Sequence, residues 1–328
     1  MGKLHPQWHP LHHTGIERNF ILVKHLTTLE AYCNNIRIPP PRHPIYDIRS
    51  FEENMKTVKE KVEPFRHEFY AVALRVAGEG VTKTGQFRKD HAKAYTLFFN
   101  SPYQEISWDI VPNWQGYYIL ITDEFMEQYL PHLSILNDFP FFRIDQTVPM
   151  QLTAEEAAPM LASFTTIATE YYGDSKDNFR IIAPHTRLLL EYTRRCFEKY
   201  AAQAEGLTEK NRNADVLLVS RLKVLLEASF AEADPAFHPH TANAYADFLH
   251  VHPNYLNAVV KRTTSKTLKA LIQEQVVYQA KSLLAATTLS NKEIAYRLHF
   301  EEPTHFNALF KKLTQLTPVQ YRESLKTA

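Results

Sequence analysis

The chain has 328 residues, 45% of them hydrophobic, with 37 Lys/Arg against 36 Asp/Glu; that length suits about two domains, and no apolar run is long enough to span a bilayer. Cys33 and Cys196 stand far apart and form no CxxC, which excludes a disulfide framework and a cysteine zinc site and leaves two free thiols. The near-zero balance hides an asymmetry: from Pro235 onward 11 Lys/Arg face 6 Asp/Glu, so this end is basic and the rest slightly acidic.

Residues 1–44 read as a tail and an arm. The start lacks the apolar core of a signal peptide, so the protein is expected in the cytoplasm. His5, His9, His12 and His13 lie beside Pro6 and Pro10 without regular ligand spacing, and no metal is expected there. Ile38-Pro39-Pro40-Pro41 forces an extended stretch, because each proline disfavours helix in the residue before it.

Residues 45–147 read mostly as β. Phe69 to Val76 is a strand closed by Gly78-Glu79-Gly80, Ala94 to Phe99 is closed by Asn100-Ser101-Pro102, and Tyr117 to Ile121 is a third. Strands without intervening helices imply a sandwich or jelly roll. One face of the first strand offers a ligand pocket lined by His67, Phe69 and Ala73; Arg75 either joins it, with His67, as an orienting polar group, or faces solvent.

Residues 148–205 switch to helical spacing. Thr153 before Glu155-Glu156 suits a helix start, with Leu161, Phe164, Thr165, Ile167 and Ala168 on its apolar side; after Gly173-Asp174 a second helix carries Ile182, Leu189 and Cys196 seven residues apart, with further apolar residues at Leu188, Leu190, Tyr192 and Phe197. One stripe can cover the β domain while another meets a partner subunit. Gly206, Lys210 and Asn211 mark 206–214 as a linker, which leaves 215–328 as a second domain.

That domain contains one unit twice. Ile294, Ala295 and Leu298 recur at helical spacing, and after a turn Phe306, Leu309, Phe310 and Leu313 form a second helical set that begins at Pro303. An earlier copy pairs with it at an offset of 50 from the turn onward (Pro253 with Pro303, Asn257 with Asn307, Ala258 with Ala308, Lys261 with Lys311, Thr267 with Thr317) and at 49 before the turn (Ala246 with Ala295, Leu249 with Leu298). Between them runs an apolar helix from about Leu268 to Ala286.

The stretch from about Thr241 to Arg322, with Ile294-Ala295, Phe300, Phe310-Lys311-Lys312 and Thr317-Pro318-Val319-Gln320-Tyr321-Arg322, resembles the double helix-turn-helix DNA-binding domain of AraC-family transcription regulators. It departs where that family usually has Gly, at Ser265, His299 and Gln315; all eight glycines of the chain lie at or before Gly206. Upstream, Arg66 to Tyr70, the Gly-containing turn, Leu97 to Pro102 and Gly116 to Ile121 resemble the cupin-like regulatory domain that precedes the DNA-binding domain in many AraC relatives. Aligned through His67 with metal-binding cupins, the ligand places hold Phe65, His67, Ala71 and Ile106, so neither a metal nor another cofactor is expected, nor a catalytic residue.

The expected fold is therefore α+β and multidomain: a cupin-like β-barrel or jelly roll over 45–147, a helical dimerisation region over 148–205, and an all-α domain of two helix-turn-helix motifs over 215–328. The connecting helix, ~28 Å at 1.5 Å per residue, is short enough to set two recognition helices into successive major grooves one DNA turn (~34 Å) apart. Asn254, Asn257, Ala258, Thr304, Asn307 and Ala308 would face bases, since Asn pairs adenine through both amide groups and Ala or the Thr methyl contacts the thymine methyl. Lys261, Arg262, Lys311 and Lys312 would meet phosphates. The resemblance implies a bacterial regulator that binds double-stranded DNA, pairs as a homodimer through its helices, senses a small molecule or partner and contacts RNA polymerase. Competing expectations are a metal-dependent cupin enzyme with a DNA-binding tail, and a DNA-binding regulator without a ligand.

Overall fold

Alternation along Tyr70–Ala77 sets the architecture of the N-terminal half. Tyr70, Val72 and Leu74 pack beneath helices, while Ala71 and Ala73 turn to the opposite face and pack with Phe69, Ile110, Trp114 and Tyr118. A strand buried on both faces needs a layer on each side, and both are present. The computed structural model describes residues 23–84, 87–90, 94–131, 133–144, 149–203, 214–230 and 239–327. His5, His9, His12 and His13, and the linker with Gly206, Lys210 and Asn211, lie outside the described residues.

The N-terminal half runs β1 (Lys24–Leu26), α1 (Leu29–Ile36), β2 (Tyr46–Ser50), α2 (Phe51–Asn54), β3 (Lys61–His67), β4 (Tyr70–Ala77), β5 (Gly80–Thr84), β6 (Phe87–Asp90), β7 (Thr96–Asn100), β8 (Glu105–Ile110), β9 (Gln115–Ile121), α3 (Asp123–Tyr129), α4 (Ile135–Asp138), β10 (Met150–Gln151), α5 (Ala154–Tyr172) and α6 (Phe179–Gln203). The expected barrel is not closed. Among the described residues the strands form two five-stranded sheets, ordered β1-β3-β8-β5-β6 and β10-β7-β4-β9-β2, with no pairing between them. All pairs are antiparallel except β1 on β3.

Helices take over the protection that closure would have given. The edge strand β2 offers its backbone carbonyls to α5, whose Tyr171 hydroxyl donates to Tyr46 O at 3.1 Å and whose Tyr172 hydroxyl donates to Ile48 O at 2.8 Å; an edge satisfied in this way no longer templates another strand. α5 starts as its sequence suggested, with a capping box between Thr153 and Glu156. The stripe Ile182, Leu189 and Cys196 on α6 is buried against the β10-β7-β4-β9-β2 sheet side, as is Leu190, whereas Leu188 is exposed.

The C-terminal half is helical: α7 (Ala214–Ala228), α8 (Ala242–Phe248), α9 (Pro253–Thr264), α10 (Leu268–Ala286), α11 (Asn291–Arg297), α12 (Pro303–Thr314) and α13 (Pro318–Thr327). Two small cores hold it. Tyr245, Ala246, Leu256, Val259 and Val260 pack on α7 and the start of α10; Ile294, Ala295, Leu298, Phe306 and Phe310 pack on the rest of α10. The two halves also touch: Ile144 is buried in the first of these cores, and Lys281 on α10 pairs with Glu127 on α3 at 2.8 Å. Among the described residues no helix is long and apolar enough to cross a membrane.

Candidate nucleic-acid interface

Each helix-turn-helix unit is built by the same local devices. α8 and α11 begin on Thr241 and Ser290, whose side chains accept from the third residue on, and both recognition helices begin with proline, which needs no hydrogen bond at that place. Between the helices of each unit one residue turns left-handed, His250 at φ 54° and His299 at φ 62°. α9 and α12 then end on Ser265 (φ 61°) and Gln315 (φ 63°), also left-handed. Three of these four are the positions where the sequence departs from glycine, so the family geometry persists at the cost of some Cβ crowding.

Asn254, Asn257 and Ala258 on α9, and Thr304, Asn307 and Ala308 on α12, are all exposed, while Leu256, Phe306 and Phe310 between them are buried. The outward faces are thus the ones named from spacing. They are not equivalent, however. The Asn257 side-chain oxygen accepts a hydrogen bond from the Leu268 backbone N–H at 3.0 Å and thereby caps α10. That bond uses one of the two lone pairs of the oxygen and ties the Asn257 amide to α10, so its side chain is less free than that of an unengaged Asn to turn toward an adenine. Asn307 has no such bond among the described residues, and the reason is covalent. The residue matching Leu268 at the offset of 50 is Pro318, which has no N–H to donate.

The cations also divide. Lys261, Lys311 and Lys312 are exposed, and their side chains make no hydrogen bond or ion pair among the described residues. Arg262 instead grips Asp215 on α7 through Nε at 2.9 Å. The carbonyl end of α9 is held from the N-terminal half, where Arg66 Nη1 donates to Arg262 O and Thr263 O at 3.2 and 3.0 Å, and Lys266 pairs with Glu68 at 3.0 Å. A guanidinium at a helix C-terminus also suits the helix dipole. The terminal motif is structural: Arg322 donates to Leu289 O at 2.7 Å and Leu284 O at 3.2 Å, and Tyr321 lies edge-on to Phe310.

The ligand pocket named from the first strand needs correction. A cavity of about 80 Å³ does lie between the sheets, but of His67, Phe69, Ala73 and Arg75 only Ala73 lines it. His67 is stacked on Phe69 with centroids 4.2 Å apart, and burial lowers its pKa to about 3, so it stays neutral. Arg75 is fully buried and directs Nη1 to Gly78 O (2.7 Å) and Nη2 to Thr96 Oγ1 (2.9 Å), which removes both the solvent-facing and the ligand-orienting readings. Two polar pairs stand on the cavity wall, Asn54 donating to the Tyr118 hydroxyl at 2.6 Å and Thr84 donating to Asn100 Oδ1 at 3.3 Å, among apolar walls that include Trp108, Trp114 and Phe98. Loop and helix residues contributed by α1 and α2 carried no signal for this in the sequence. No cluster of three or more metal-capable side chains occurs among the described residues.

Comparison with known proteins places the C-terminal half. The family described as "Helix-turn-helix domain" matches residues 245–324. The uncharacterized HTH-type transcriptional regulator YtdP of Bacillus subtilis (strain 168) is 32% identical over 87 residues, 26% of this chain and 11% of that protein. YijO of Escherichia coli (strain K12), of the same description, is 29% identical over 82 residues, 25% of this chain and 29% of that one. The chain therefore spans less than a third of these relatives' length. Among solved structures, the C-terminal domain of the two-component response regulator yesN from Fusobacterium nucleatum shares 30% identity over 32% of this chain and 96% of that domain, with a TM-score of 0.29. Unsaturated fatty acid bound ToxT from Vibrio cholerae aligns over 80% of this chain and 89% of that one at 12% identity and a TM-score of 0.31, a depth of likeness that carries no ligand across. With its motif, its paired units and the family match over residues 245–324, the C-terminal domain is a helix-turn-helix domain of the AraC type.

Proposed function

We propose that this protein is a sequence-specific DNA-binding transcription regulator rather than an enzyme, acting in the bacterial cytoplasm. One observation carries the reading: α9 and α12, each with an exposed Asn-Ala face and exposed lysines beside it, are held at the two ends of the 19-residue helix α10. At ~1.5 Å per residue that connector suits two neighbouring major grooves. Base contacts then fall to Asn254, Ala258, Thr304, Asn307 and Ala308, and phosphate contacts to Lys261, Lys311 and Lys312, with Arg262 joining once it leaves Asp215.

The N-terminal half is the sensing half of this reading. The cavity between the sheets favours a small, largely apolar effector oriented by Asn54 and Tyr118, and at about 80 Å³ the sheets must part to admit one larger than a few heavy atoms. Ile181 and Leu188 on α6, seven residues apart and exposed by 45% and 42%, support a homodimer through that helix, and a regulator so arranged is expected to contact RNA polymerase. Selection of the purified full chain against random DNA tests the core of the proposal. Recovery of a bipartite site with elements about 10 base pairs apart is the expected result, and binding that is equal on all sequences overturns it.

A further inference from the structure

Outside the β sandwich, between the two halves, lies a cavity of about 690 Å³ walled by α3, α7, α10 and the α12–α13 turn. That volume is in the range of small-molecule sites, roughly 300–1,000 Å³. Its walls carry six carboxylates and three lysines. Lys266 is engaged by Glu68 and Glu274 at 3.0 and 2.9 Å, and Lys281 by Glu127 at 2.8 Å. Asp123, Glu124 and Glu227 remain, with Lys223 as the remaining cation. Among the described residues Lys223 has no carboxylate within ion-pair distance and lies 4.3 Å from the Tyr103 ring centroid.

The carboxylates are correspondingly ill served. Glu227 takes its hydrogen bonds from neutral donors, Ser134 Oγ at 2.9 Å and Leu136 N at 3.0 Å, and Asp123 makes none among the described residues. Burial raises Glu127 and Glu227 to about 7 and lowers Lys223 to about 8, whereas Asp123 lines the cavity as an exposed carboxylate. The walls already receive ammonium groups on aromatic faces: Lys223 and Lys266 over Tyr103 and Lys281 over Tyr321. Among the described residues no group of three or more metal-capable side chains is present.

We propose that this cavity binds an organic ammonium ligand of the aliphatic diamine or polyamine class, with charged nitrogens on Asp123 and Glu227. Such a ligand supplies the missing positive charge, and its methylene chain suits the tyrosine, leucine and valine side chains between the charged groups. Because Asp123 belongs to α3 and Glu227 to α7, an occupant bridges the two halves of the protein. Its influence on DNA binding rests on the proposed regulator function; its binding does not.

Isothermal titration of the full chain at pH 8 and low salt with spermidine, putrescine, magnesium chloride and hexanoate tests this. One saturable site for spermidine is expected, with magnesium neither binding there nor competing at matched ionic strength. Asp123→Asn should weaken spermidine about tenfold or more, as loss of a charged partner does; this residue makes no hydrogen bond that folding would miss. Glu227→Gln should do the same, with circular dichroism confirming the fold. Absence of saturable spermidine binding, equal binding of magnesium, unchanged affinity in Asp123→Asn, or hexanoate binding that Lys223→Gln abolishes overturns the proposal. Sequence-specific DNA binding by the same preparation without spermidine binding sinks only this proposal, and the reverse sinks only the regulator reading.

Discussion

Replacing each of the paired asparagines by alanine should produce opposite defects. Asn257 caps α10: its oxygen is 3.0 Å from the N–H of Leu268, the first residue of that helix, while Thr267 accepts from Ala270 at 3.1 Å. Asn257→Ala leaves the Leu268 N–H without its acceptor beside a buried side chain, which should cost about 1 kcal/mol and at most ~2 kcal/mol, as lost caps do. In the second unit Pro318 has no N–H, so Asn307→Ala removes no internal bond and should change stability by less than ~0.5 kcal/mol. On DNA the order reverses. Asn307→Ala should lose ~1–3 kcal/mol of discrimination at one base pair, whereas Asn257→Ala should alter base preference little because its amide is held on α10. Urea unfolding of the full-length variants reads the first quantity, and affinities for the selected site and its single-base variants read the second. Equal stability losses in the two variants would refute the covalent explanation, and a full loss of discrimination in Asn257→Ala would show that the cap opens on DNA.

Three further outcomes are expected. His299→Gly should stabilise the protein by up to ~1 kcal/mol or leave it unchanged, since φ 62° crowds a Cβ and the relief is partly offset by the unfolded-state entropy of glycine; a loss above ~1 kcal/mol in denaturant unfolding would mean that the imidazole makes a contact worth more than the strain. Lys311→Ala should weaken all DNA sequences alike and reduce the slope of log affinity against log salt by about one, and a selective effect on one base pair would contradict the phosphate assignment. Burial raises the carboxyls of Glu127 and Glu227 to about 7 in the folded protein, so their contribution to stability is complete below about pH 4.5 and is lost as pH rises through about 7; Glu227→Gln should therefore raise the melting temperature at pH 8 but not at pH 4.5, and an equal shift at both would place the effect in packing rather than in protonation.

The sequence by itself determined whatever repeats locally. Proline starts, the Asn-Ala faces, the limits of α10 and the left-handed place at His299 all follow from residue type at helical spacing, because capping and amphipathicity act within a turn or two. Thr153 as a helix start was legible for the same reason. Tertiary structure decided everything that joins distant segments. Whether the strands close into a barrel depends on partners far apart in the chain, as Tyr46 is paired with Ile121, and α5 covering the β2 edge left no periodic trace. Arg75 reads as a surface or pocket residue until Gly78 O and Thr96 Oγ1 are seen to occupy it, and His67 until Phe69 stacks on it. Even the matched asparagines look equivalent in the repeat, and only the fold brings Asn257 to Leu268, where one N–H, absent from proline at the matching place, separates a structural cap from an amide with no bond to the next helix.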